Sequence, residues 1–133
     1  MHVTRFSVSL ERPLLEKLEN ITRTLQFPNR SRTIRYLINH FIARQDFKEN
    51  NMVAGAIVLV YNHHKRELQN QSTNLQHDYH NLILSVQHVH LDHENCLETL
   101  AVKGMAHEIR SLSNQLISLK GIQHGDLIIS GSF

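Results

Sequence analysis

Near the start of the chain Phe6, Val8 and Leu10 alternate with Arg5, Ser7 and Ser9. A period of two residues predicts a strand with one apolar and one polar face. Nothing else in the first stretch of the sequence can pair with it. Pro13 suits the first turn of a helix, and Leu14, Leu15, Leu18, Ile21 and Leu25 follow at helical spacing. Phe27-Pro28-Asn29 breaks that helix. A second helix starts among Asn29 to Ser31, good N-cap types, with an apolar stripe of Ile34, Leu37, Ile38, Phe41 and Ile42. A lone strand has no partner in its own unit, and a unit of about 50 residues buries too little surface to fold comfortably alone. The simplest solution is a dimer in which two copies of the strand pair antiparallel above interlocked helices. Residues Gln45 to Asn51 are polar and read as a linker.

Composition narrows the class. The single cysteine of this 133-residue chain cannot form an internal disulfide, so a stapled secreted mini-fold is excluded. The longest strongly apolar run, Val53 to Tyr61, is too short to span a bilayer. Arg5, Glu11 and Arg12 interrupt any secretory signal pattern, so no membrane association and a cytoplasmic location are expected. The modest net charge of +2 is an average of unlike halves. Residues 1–50 hold nine Lys and Arg against five Asp and Glu, whereas residues 51–133 hold five against seven. Nine of the eleven histidines lie in the second part. A basic small unit points to a polyanion, and a histidine-rich unit with one thiol points to metal or pH chemistry.

The second unit alternates strand and helix signals. Met52 to Asn62 reads as a buried strand, His64 to Leu75 as a helix, His80 to Leu91 and Cys96 to Val102 as strands about an Asp92–Asn95 turn. Met105 to Leu119 reads as an amphipathic helix ended by Gly121, and Gly125 to Ile129 as a closing strand. The order βαββαβ is that of the split ferredoxin-like unit.

Arg5, Ser7 and Ser9 share one face of the first strand. Doubled by dimer symmetry, that face suits the DNA major groove, where Arg bonds guanine acceptors and Ser donates or accepts. The start of the second helix, Asn29-Arg30-Ser31, offers backbone N–H groups to a phosphate. This pattern over about residues 2–45 resembles the ribbon-helix-helix family of DNA-binding repressors.

The most chemically specific motif is His88-Val89-His90 followed by Cys96-Leu97-Glu98. Two residues two apart in a strand face the same side, and a short turn returns Cys96 toward them. Gln76-His77 is a further source of imidazole. Three nitrogens and a thiolate make a four-ligand set that suits Ni(II) or Cu(II), whereas closed zinc sites usually use more thiolates. His63, His64 and His80 read as solvated, with accessory metal binding as the other reading. His2, His40, His107 and His124 read as structural or surface residues.

Taken whole, the chain resembles the nickel-responsive transcriptional regulators. The matching segments are Arg5 to Leu10, Asn29-Arg30-Ser31, Tyr61 to Arg66, Gln76-His77, the His88–Glu98 hairpin, Val102-Lys103-Gly104 and Gly121 to Gly125. The resemblance implies an α+β chain with a ribbon-helix-helix domain at 1–48, forming a dimeric β-ribbon, and a ferredoxin-like ACT-type domain at 52–133 for metal binding and tetramerisation. It implies one square-planar Ni(II) per subunit held by His88, His90 and Cys96, with His77 from a neighbour. Tyr61 and Glu98 would support those ligands by hydrogen bonds. Arg5, Ser7 and Ser9 would read bases, Asn29, Arg30 and Ser31 would meet phosphate, and Lys65 and Arg66 would lie near the DNA backbone. The partners implied are a palindromic double-stranded operator and a homotetramer built as a dimer of dimers. The function implied is repression of metal-uptake genes, with no enzymatic activity. Where the best-known members carry acidic residues for a cation site, this chain has Arg32 and Tyr36. Two other readings stay open. One is the same architecture responding to cobalt, copper, zinc or a non-metal ligand. The other is an intracellular metal-binding protein without specific DNA binding.

Overall fold

The computed structural model describes residues 2–132. It divides into two compact units, Met1–Asn39 and His40–Phe133.

In the first unit, residues 3–10 make no β-ladder, so the expected strand is not formed by the single chain. The physical reason is that a strand is defined by its partner, and this unit supplies none. Phe6 and Val8 are 71% and 56% exposed. Helix α1 spans Arg12–Thr24, with Pro13 in its first turn as expected. Helix α2 spans Arg30–Lys48. Asn29 Oδ1 accepts the Arg32 backbone N–H at 2.9 Å, which caps an otherwise unpaired donor. The Thr22 and Thr33 hydroxyls pair at 2.6 Å between the two helices. An apolar groove of about 370 Å³ runs between the segment and the helices, lined by Phe6, Val8, Leu14, Leu18, Ile34 and Leu37 among others.

The polar stretch read as a linker is largely helical instead. α2 continues through Gln45–Lys48 because Ala43 and Phe47 bury against the second unit's own elements. Arg110 lies over the Phe47 ring at 4.5 Å, and Gly131, at φ +89°, lets the chain pass close to Ala43.

The second unit has the βαββαβ order. Strand β1 is Met52–Asn62, helix α3 Arg66–Asp78, β2 Ile83–His90, β3 Asn95–Met105, α4 Ala106–Ile117 and β4 Ile122–Ser132. The sheet order is β2-β3-β1-β4, antiparallel at every pairing, which is the split ferredoxin-like arrangement. One face of the sheet meets α3 and α4. Val53, Ile57 and Leu59 of β1, Leu100 and Val102 of β3, and Ile109, Leu112 and Leu116 of α4 form its core. The boundaries of α3 and β2 differ from expectation, and β3 and β4 extend beyond the expected Cys96–Val102 and Gly125–Ile129. α3 starts two residues late, since Asn62 Oδ1 accepts the His64 N–H and its carbonyl accepts the Lys65 N–H. It also runs past Leu75, so His77 lies in its last turn. His80–Leu82 form a 3-10 turn, so β2 begins at Ile83.

Asn29→Ala removes the α2 cap and is expected to cost about 1 kcal/mol of stability. Urea unfolding followed by circular dichroism measures it; an unchanged midpoint would show that the cap contributes nothing.

Candidate metal centre

The antiparallel register decides which side chains share the helix-covered face. Tyr61 of β1 pairs with Cys96 of β3, and Cys96 with His90 of β2. One step along, Leu59 pairs with Glu98, and Glu98 with His88. Directly opposed residues project to the same side of a sheet. Two cross-strand rows therefore place His88, His90, Cys96, Tyr61 and Glu98 together at one end of one face.

Glu98 organises this end. Its side chain is 2% exposed and receives three donors. Tyr61 Oη–H donates to Oε2 at 3.3 Å, Gln76 Nε2–H to Oε1 at 3.1 Å, and His88 Nε2 meets Oε2 at 2.6 Å. With Nε2–H given to the carboxylate, Nδ1 of His88 carries the free lone pair. A carboxylate behind an imidazole is the common device for orienting a metal-binding histidine and raising its basicity. Burial pushes the Tyr61 phenol far above its ordinary value, and a hydrogen bond with Cys96 and the Glu98 charge add to the shift. It remains a neutral donor. A polar cavity of about 270 Å³ opens here, bounded by Tyr61, Ser72, Gln76, His88 and Glu98 among others.

Cys96 is a free thiol, 2% exposed. His90 is exposed, and its ring lies 4.6 Å from that of His63. His77 is also exposed, stacked on His80 with ring centroids 6.0 Å apart. Among the described residues no three His, Cys, Asp or Glu side chains gather around one point. The register thus brings His88, His90 and Cys96 onto one face, while His88 leans to Glu98, His90 to His63, and His77 remains apart on α3. The donor chemistry fits a borderline-soft divalent ion: two imidazoles, one thiol and a carboxylate already engaged with one of the rings. Gln76 is a residue to which sequence reasoning gave no role. Its signal was its place beside His77, but its bond to Glu98 depends on α3 crossing the sheet.

The expected DNA-facing residues lie on both units. Arg5, Ser7 and Ser9 sit exposed on the N-terminal segment. Arg5 and Ser7 share a cavity of about 660 Å³ with Ser31 and Arg35. Arg30 makes a long contact with Glu19 at 3.8 Å, and Asn29 is the cap of α2. In the second unit Lys65 and Arg66 are exposed at the start of α3. Arg32 lies 5.8 Å over the Phe27 ring, and Tyr36 meets that ring edge-on at 5.4 Å. These two side chains therefore form a local stack on Phe27. Among the described residues no helix is long and apolar enough to cross a membrane.

Because the Tyr61 pKa is raised, its contribution to stability is complete below pH 10.0 and declines as pH rises beyond it. Ultraviolet titration of the three tyrosines should show one phenol that ionises only as the unit unfolds. The lagging phase should vanish in Tyr61→Phe; three phenols titrating together in the folded chain would contradict the buried donor.

Comparison with known proteins extends this picture. Residues 54–130 match the family described as the NikR C terminal nickel binding domain. A relative from Chlorobaculum tepidum is 49% identical over 128 residues, covering 96% of both chains. One from Syntrophus aciditrophicus is 46% identical, covering 97% of this chain and 94% of the relative. One from Pyrococcus abyssi is 42% identical, covering 99% and 96%. Each carries the provisional name nickel-responsive regulator. Among solved structures, an uncharacterized protein from Thermotoga maritima superposes with a TM-score of 0.54 at 18% identity. It covers 59% of this chain and 98% of its own, and shows likeness of fold alone. With a family domain over more than half its length and relatives this similar from end to end, the chain belongs to the family of nickel-responsive regulators.

Proposed function

We propose that this protein is a metal-gated DNA-binding regulator whose effector is Ni(II), acting as a repressor of metal-uptake genes and not as an enzyme. The observation that carries the reading is the pair of cross-strand rows that set His88, His90 and Cys96 on one face, with Glu98 already holding His88. Three donors from one chain leave a coordination sphere incomplete. His77, exposed on the last turn of α3, supplies the fourth to a neighbouring subunit, so each chain gives three ligands to one centre and one to another. That exchange requires an oligomer, which we take as a homotetramer of ACT-type regulatory domains in the cytoplasm. When bound, the metal supplies a cross-link between subunits.

The first unit supplies the DNA reader. Its apolar groove and exposed Phe6 and Val8 fit pairing with a second copy, completing a ribbon-helix-helix dimer. The paired segment then presents Arg5, Ser7 and Ser9 to bases. Asn29, Arg30 and Ser31 hold phosphate at the start of α2, and Lys65 and Arg66 approach the DNA backbone. Linking subunits through His77 favours arrangements in which two such ribbons meet both halves of a palindromic operator. Metal and DNA then strengthen each other's binding by linkage. Ligand thiol and imidazoles must be unprotonated, so acid opposes the response.

The test is operator binding by fluorescence anisotropy, with and without Ni(II), in the parent and Cys96→Ala. The parent should bind DNA in a nickel-dependent, salt-sensitive manner, and Cys96→Ala should lose the nickel dependence. Equal, metal-independent affinity in both would overturn the reading. Metal binding without salt-sensitive DNA affinity would support a metal-binding protein instead.

A further inference from the structure

The end of α3 that carries His77 is held in place by Tyr79, the residue that caps the helix. Leu75 and Tyr79 are half-buried and pack against the core of the second unit. Residues at this spacing share one face of a helix. His77 stands two residues from each, about 200° round the helix from Leu75 by the 3.6-residue repeat. It is exposed. The side of the helix end that meets the core and the side that bears His77 are therefore opposite.

A closed set of bonds ties Tyr79 to α4. Its Oη lies 3.1 Å from Ser111 Oγ, and Gln115 Nε2–H donates to both oxygens, at 2.7 Å to Tyr79 and 3.0 Å to Ser111. Ser111 and Gln115 are one turn apart on α4, so they face the same way. The main chain adds to the hold. The Tyr79 N–H donates to Leu75 O at 3.1 Å, and the Leu82 N–H donates to Tyr79 O at 2.9 Å. His80 Nδ1–H donates to the His77 carbonyl at 3.0 Å, which uses one of the acceptors that a helix end leaves unpaired. A last turn without such ties frays.

We infer that Tyr79 is a positioning residue for the shared metal centre: through Ser111 and Gln115 it fixes the last turn of α3 in the chain that lends His77. The role rests on the proposal that His77 serves a neighbouring subunit. A ligand whose helical turn is in place only part of the time binds with an affinity lowered by that fraction. Tyr79 touches no metal; it acts on the imidazole of its own chain and so on the centre of the neighbour. That gives it a signature of its own. A general loss of folding would weaken a shared centre from either chain, whereas loss of this tie weakens it from the lending chain alone.

The experiment uses full-length chains in mixed oligomers, with Ni(II) as the probe, buffered by a competing chelator. One chain carries Cys96→Ala and can only lend His77; the other carries His77→Ala and can only accept it. Only centres that combine the two give thiolate-to-nickel absorption. Tyr79→Phe keeps the ring and removes the hydroxyl. Added to the lending chain, it should move the absorption midpoint to roughly two- to tenfold higher free Ni(II), the range for loss of a neutral hydrogen bond. Added to the accepting chain, it should leave the midpoint in place. Gln115→Met in the lending chain should reproduce the shift, and combining it with Tyr79→Phe should add little. Equal shifts from either chain, a shift from the accepting chain alone, or no shift at all would overturn the role. Absence of the band with Tyr79 intact would overturn the shared centre, and this role with it, before any Tyr79 variant is compared.

Discussion

A carboxylate that is almost wholly out of water has to be satisfied on all sides, and Glu98 is such a group. An unpartnered ion there would cost several kcal/mol. Its donors come from three elements: Tyr61 on β1, Gln76 on α3 and His88 on β2. The strand register, the seating of α3 on the sheet and the orientation of one candidate ligand are therefore fixed by one residue. Fewer donors would leave a buried charge exposed to its full desolvation penalty. More burial of His88 would close the ring off from a metal. The observed compromise, a buried carboxylate holding a half-exposed imidazole, keeps Nδ1 available while its far side is anchored.

The two units solve different problems. The second has a continuous core between one sheet face and two helices, with its polar cluster confined to one end of that face. The first has few side chains out of solvent, Thr33 among them, and leaves a groove of apolar side chains open. In the proposed function each deficiency is met by another subunit: a second ribbon closes the groove, and a neighbour's imidazole completes the metal centre. Assembly and function are then one requirement.

Much of this was legible before any coordinates. An apolar run located β1 to the residue, and helix-forming residues and amphipathic spacing located the two helices of the second unit to within a few positions. The same-side placement of His88 and His90 follows from strand geometry alone. What stayed hidden depended on contacts distant in sequence. Residues Gln45–Lys48 look like linker because only Ala43 and Phe47 carry the buried face. His77 fell outside the expected helix, which was read to end at Leu75, whereas α3 runs to Asp78. The hold of Ser111 and Gln115 on Tyr79 has no signature at all, because it depends on how α3 packs against α4. The strand at residues 3–10 is the reverse case: its alternation is clear, but no ladder forms within the single chain.

The central claim, that a metal centre is shared between chains, is tested most directly by subunit complementation. His77→Ala keeps three donors but lends none, and Cys96→Ala lends His77 but lacks the thiolate. Each variant alone should show little thiolate-to-nickel absorption. Mixing them under conditions that exchange subunits should restore a fraction of the parent's band, arising from centres that combine the intact hairpin of one chain with His77 of the other. A mixture that merely averages the two separate spectra would contradict the shared centre.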